Sequence, residues 1–129
     1  MTEPKVDEEL WQAIRSLPWV MASMSFNAHR LHTPVGNVDG TSVMLVDGNE
    51  IKIKHDMDFV EGGNGLEDIG LCGKTQVILD GWVHPSQLPF ICYHEEVERR
   101  DMQKGMSYEQ AHKRANLVER ELRIRATRP

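Results

Sequence analysis

The sequence is short of cysteine, having only Cys72 and Cys92 in 129 residues. A lone pair without motif spacing makes neither a disulfide framework nor a zinc knuckle, so both are expected as small buried hydrophobes in a reducing compartment. Long hydrophobic runs are also missing: nothing approaches the ~20 apolar residues that span a bilayer. The first nine residues are acidic, where a signal peptide is basic and then apolar. These absences predict a cytoplasmic chain with no membrane partner. Positive charge is in deficit too, and a net charge of −5 gives no electrostatic footprint for nucleic acid. Lys113, Arg114, Arg120, Arg123, Arg125 and Arg128 cluster near the end, but Glu119 and Glu121 interrupt them. Alternating signs of this kind mark a solvated helix face.

What remains is an ordinary globular composition at the size of one domain, residues 1–129, with no repeat or low-complexity segment. Asp7 can cap a first helix in which Leu10, Trp11, Ile14 and Leu17 recur at helical spacing, and Pro18 ends it. Residues 19–26 are apolar with interspersed serines, compatible with a strand or a helix. Residues 29–40 contain Pro34, Gly36, Asn37, Asp39 and Gly40, which is loop chemistry. A hairpin is expected next: a strand over residues 41–46, a turn at Asp47-Gly48, and a second strand over 50–55 in which Ile51 and Ile53 alternate with lysines. The run from Phe59 to Gly65 lacks the lysine and hydroxyl of a phosphate loop and is expected as backbone turns. Residues 74–81 predict a further strand closed by a turn.

Two helices are predicted at the end, residues 87–104 and 108 to about 126. Ser86 can cap the first, which tolerates Pro89 in its first turn and is followed by Gly105. The second opens with Ser107-Tyr-Glu-Gln110, a capping box. The expected fold class is α+β: a small mixed or antiparallel sheet of three or four strands between Thr41 and Leu79, packed against the N-terminal helix and the C-terminal pair.

The unusual content lies on that pair. His94 and Glu98, four residues apart, project from one face of the first helix, the face that also holds Ile91 and Met102. Glu95 sits roughly 100° around the helix from His94. On the second helix, Tyr108, Ala111, Ala115, Val118 and Leu122 form the apolar stripe, bordered by His112 and Glu119. The two- or three-residue link brings the helices together, so inward side chains from both can meet.

His94-Glu95-Glu96-Val97-Glu98, followed by Ala111-His112 and Glu119, resembles the helix of zincin metallopeptidases, with a glutamate in place of the second histidine. The order from Phe59 through the 75–79 strand into the helix pair is similar to small phage or prophage proteins with a compact peptidase-type domain. The resemblance covers about the last 70 residues by motif order. It implies a zincin-like fold and a hydrolase with a metal-activated water. His94 and Glu98 would be metal ligands, Glu95 the base, and His112 the third ligand, with Glu119 as an alternative ligand or a supporting group. Zinc is the implied ion, and the substituted glutamate widens the choice to other divalent transition metals. The implied partner is a peptide or protein substrate, in the host cytoplasm if the gene is phage-borne.

Three other readings fit the same residues. The histidines can be ion-paired with Glu98 and Glu119, alongside i, i+4 pairs among Glu95, Glu96, Arg99 and Arg100. Glu109-x-x-His112 has di-iron carboxylate spacing, but a single motif needs a symmetric dimer to complete it. The fold can also serve a non-catalytic interaction protein. His29, His32, His55 and His84 fall in expected loops or strand ends and are assigned no role.

Overall fold

The structure, a computed structural model, describes residues 4–54, 59, 61–66 and 72–128. Among these, the elements in order are α1 (Glu8–Arg15), α2 (Trp19–His29), β1 (Thr33–Val38), β2 (Thr41–Val46), α3 (Gly48–Lys54), β3 (Gly62–Asn64), β4 (Gln76–Asp80), α4 (Leu88–Gln103) and α5 (Tyr108–Thr127). The sheet order is β1-β2-β4-β3. β1 pairs antiparallel with β2, β2 parallel with β4, and β3 antiparallel with β4. The fold class is therefore α+β with a mixed sheet, and the sheet begins at Thr33 rather than at Thr41. None of the described helices is long and apolar enough to cross a membrane.

The first helix forms as its pattern predicts. The Asp7 side chain accepts from the Leu10 amide at 3.1 Å, and Leu10, Trp11 and Ile14 are buried. The Asp7 amide in turn donates to the Tyr93 hydroxyl at 2.8 Å, tying the start of α1 to α4. Residues 19–26, open between strand and helix in sequence, are helical in α2, which stops where Arg30 takes a left-handed conformation at φ 53°.

The expected hairpin is displaced by one Asp-Gly dipeptide. Asp39 and Gly40 have φ of 47° and 85°, the double positive φ of a two-residue hairpin turn, and they join β1 to β2. Residues 33–38, expected as loop, thus form a strand. Its Pro34 and Gly36 flank an irregularity in register on the outermost strand of the sheet, where a proline removes no ladder bond from a second neighbour. Asp47, expected to start a turn, instead caps α3: its Oδ1 accepts from the amides of Asn49 at 3.0 Å and Glu50 at 3.3 Å. The Ile51/Ile53 alternation survives in this helix because residues two apart also face opposite sides of a helical turn. Ile51 is 7 % exposed and Ile53 79 %. His55, the end of the expected second strand, lies outside the described residues, as do Val60 and residues 1–3.

Part of the glycine-rich run is strand rather than turn, since Gly62–Asn64 form β3. The strand expected over 74–81 is β4. α4 and α5 match their predicted spans within a residue or two, with Gly105 at φ 103° after the first and Ser107 accepting from the Gln110 amide at the start of the second. Ser86 does not cap α4; its hydroxyl lies 2.8 Å from the His84 ring. Of the two cysteines, Cys92 is buried and Cys72 only partly so.

α4 is enclosed on nearly every side, and its buried residues include His94, Glu95, Glu96, Glu98, Arg99 and Asp101. Glu96 is the structural member of this set. It is 1 % exposed. Its Oε1 accepts from Arg99 Nε at 2.8 Å, and its Oε2 from Arg100 Nε at 2.7 Å and Thr41 Oγ1 at 3.0 Å. Arg99 continues the network, donating to Thr41 Oγ1 at 2.8 Å and to the Lys74 carbonyl at 3.3 Å. The knot therefore joins α4 to the first residue of β2 and to the turn before β4. Removing one partner from a buried ion pair leaves an uncompensated charge, at a cost of about 3–5 kcal/mol. The Glu96→Ala variant should lose stability on that scale in urea unfolding. A loss below about 1 kcal/mol, the range of surface pairs, would contradict the assignment.

Candidate metal centre

The second half of the polar content of α4 gathers around Glu98. This residue is 1 % exposed. Its Oε2 lies 3.2 Å from His94 Nε2, one turn earlier on the same helix, as i, i+4 spacing requires. The same oxygen lies 2.8 Å from His112 Nδ1 on α5. The three prospective ligand atoms fall within 4.8 Å of one another. His94, Glu98 and His112 are thus brought together as the spacing suggested, and they are the only such group of histidine, cysteine and carboxylate side chains among the described residues.

Local sequence explains the convergence. Gly105 and the Ser107 cap turn the chain back within three residues, and Ala111 and Ala115 are fully buried on α5, where small side chains permit close helix approach. The two imidazoles meet edge to face with centroids 5.0 Å apart. Tyr108 stacks on the outer face of His112 at 5.3 Å, and its hydroxyl sits 3.4 Å from His112 Nδ1. His94 is buried, whereas the His112 side chain is 42 % exposed, so the cluster has a dry inner end and a wet outer one.

Glu119 occupies the opposite side of His94. Its Oε1 is 2.8 Å from His94 Nδ1, a close ionic contact that is not aligned along the ring N–H. Its other oxygen accepts from Arg123 Nε at 2.8 Å. Glu95 is buried, and its Oε1 accepts from the Asn64 side-chain amide at 3.1 Å; Glu98 Oε1 accepts from the same nitrogen at 3.1 Å. Sequence reasoning passed over Asn64, placing it in a turn. It is fully buried on β3, and its only signal in sequence is being a short amide directly after two glycines. Glu109 is exposed and is not part of the His94, Glu98 and His112 group. His29, His32 and His84 are exposed and stand apart from it, and His55 lies outside the described residues.

Without an ion, His94 holds a proton. Burial by itself pulls the His94 imidazole down, but the contacts with Glu119 and Glu98 and the nearby charge of Glu95 outweigh it and hold the group up at about 10. Burial pushes Glu119 up, and the His94 and Arg123 contacts more than reverse this, leaving its carboxyl below the usual range. An unfolded histidine titrates near about 6.5. The His94 proton therefore stabilises the fold fully below that pH, and this contribution is lost as pH rises towards 10. Glu119 acts in the other direction, contributing above the ordinary carboxylate range and losing its contribution as pH falls through its lowered value. In the presence of a chelator, the stability advantage of the native protein over His94→Gln should be largest near pH 6 and should shrink steadily towards pH 10. Melting curves of the two proteins at several pH values read this difference, and a constant offset would contradict it. Comparison with protein-family models, curated proteins and solved structures finds no match to this chain.

Proposed function

We propose that this protein is a metal-dependent hydrolase acting on peptide bonds, with one divalent transition ion, zinc before others, held by His94, Glu98 and His112. The observation that carries the reading is the convergence of three prospective ligand atoms within 4.8 Å of one another from two adjacent helices. Three protein ligands are the number that leaves a coordination position open for water. One carboxylate and two neutral imidazoles would keep net positive charge on the ion, so Lewis acidity is retained, though weakened relative to three imidazoles.

The surroundings of His94 support this arrangement. Ligating histidines characteristically present their second ring nitrogen to a carboxylate, which fixes the tautomer and raises basicity. Glu119 stands 2.8 Å from that nitrogen. This favours Glu119 as the group that orients His94, with His112 as third ligand. An ion would have to displace the His94 proton, so affinity rises with pH.

The hydrolytic assignment and the peptide substrate rest on the order His94-Glu95-x-x-Glu98, which resembles the zincin helix. In this reading an ion supplies Lewis acidity toward a water and a carbonyl oxygen. Glu95 accepts the water proton and returns it to the leaving amine, so the carboxylate ends each cycle as it began. A zincin-like fold for residues 1–129 and a location in the cytoplasm, or the host cytoplasm of a phage, belong to the same proposal.

A second reading is favoured by the fact that His94 and His112 already have carboxylate partners at 2.8 Å. In it the cluster is a closed ion-pair network in a non-catalytic interaction protein. Metal content separates the two. Protein purified without a histidine tag, stripped and then incubated with zinc, should take up one ion per chain, and saturation at one hundred times Kd should add about 2.7 kcal/mol of stability. Glu98→Ala should abolish uptake, while Glu95→Gln should keep the ion and lose turnover of a quenched-fluorescence peptide library. A metal ratio near zero with an unchanged melting temperature would overturn the metal reading and leave the ion-pair network.

A further inference from the structure

Asn64 stands where two roles of the cluster meet. Its Nδ2 donates to Glu95 Oε1 and to Glu98 Oε1, both at 3.1 Å, while its Oδ1 accepts from the Leu66 amide at 3.1 Å. The Leu66 bond fixes the amide's orientation, because turning it over would set the carbonyl oxygen against two carboxylates and the NH2 against an N–H. An amide NH2 has two hydrogens, one for each of these carboxylates. Asn64 is fully buried, so water is poorly placed to replace it.

Glu95 and Glu98 are three residues apart on α4, neighbours on its surface. Nothing in the chemistry of the two carboxylates distinguishes a ligand from a base. An ion beside His94, Glu98 and His112 would attract both, and a Glu95 drawn into coordination would fill the position that water needs. We propose that Asn64 is the positioning residue that keeps Glu95 out of the metal's coordination sphere and holds Glu98 in it, by engaging one oxygen of each carboxylate. The inference rests on the metal reading above and adds a division of labour between the two glutamates. Asn64 acts through Glu95 and Glu98 and needs no contact with substrate.

Cobalt(II) tests this, since its visible d–d spectrum changes in intensity and position when the coordination number rises above four. At saturating cobalt the native protein should give an intense four-coordinate spectrum. Asn64→Leu should give a weaker, five-coordinate-like one at the same metal ratio. Adding Glu95→Gln to that variant should restore the native spectrum, which general damage to the fold would not do. Asn64→Ser, smaller and still polar, is read in the same way should the leucine variant not fold. Native protein that takes up no cobalt would overturn the metal reading itself. Native protein that binds cobalt, with Asn64 variants showing an unchanged spectrum, or a changed one that Glu95→Gln fails to restore, would overturn the role of Asn64 alone.

Discussion

The structure depends on one constraint: a helix enclosed by the rest of the fold carries six buried ionisable side chains within the eight residues His94 to Asp101. Moving a charge out of water costs several kcal/mol even after relaxation, and only paired, hydrogen-bonded geometry offsets it. Several of the elements and turns around α4 therefore supply partners. β2 supplies Thr41, the turn before β4 the Lys74 carbonyl, β3 supplies Asn64, and α5 supplies His112, Arg114 and Glu119. The hydrophobic core brings these elements together, and the charges on α4 restrict how they can be placed.

The two ends of this polar seam differ in the kind of cation they use. Around Glu96, one carboxylate meets two guanidiniums, which stay charged at any physiological pH. Around Glu98, the counterions are imidazoles, whose charge is conditional on a proton. Glu119 draws on Arg123 as well, and Glu95 and Glu98 on the Asn64 amide. The first arrangement is complete in itself. In the second, a protonated His94 supplies positive charge among the carboxylates, and under the proposed function a metal ion would take the place of that proton. A proton and an ion would compete for one ring nitrogen of His94.

How much was legible in the sequence follows from the range of each interaction. Helices α1, α4 and α5 are governed by local signals, and the Asp7 and Ser107 caps form as their spacing indicates. The pair His94 and Glu98 was legible for the same reason. The hairpin was misplaced because two Asp-Gly dipeptides lie eight residues apart, and alternation over a single short segment fits a helical turn as well as a strand. β1 was hidden by Pro34 and Gly36, residues that weaken a strand unless a neighbour and an outer position rescue it. The position of Glu119 behind His94, and the double engagement of Asn64, depend on residues 25 to 34 positions apart in chain. No local pattern encodes them.

The glycine-rich run shows what such long-range dependence looks like in physical terms. A Cβ at Gly62 would lie 3.2 Å from Cγ of Glu95, 3.1 Å from a methyl of Ile91 and 3.0 Å from a methyl of Leu79. A side chain there would push β3 away from α4 by a few tenths of an ångström or more. Asn64, two residues along the same strand, bridges the gap to α4 with a single methylene before its amide. Its two bonds of 3.1 Å leave little slack before they fail as hydrogen bonds. The missing side chain at 62 and the short one at 64 therefore satisfy one distance, the separation of strand from helix. Taken alone, each residue suggests only a turn. Set against the buried carboxylates of α4, they become part of the machinery that holds those carboxylates in place.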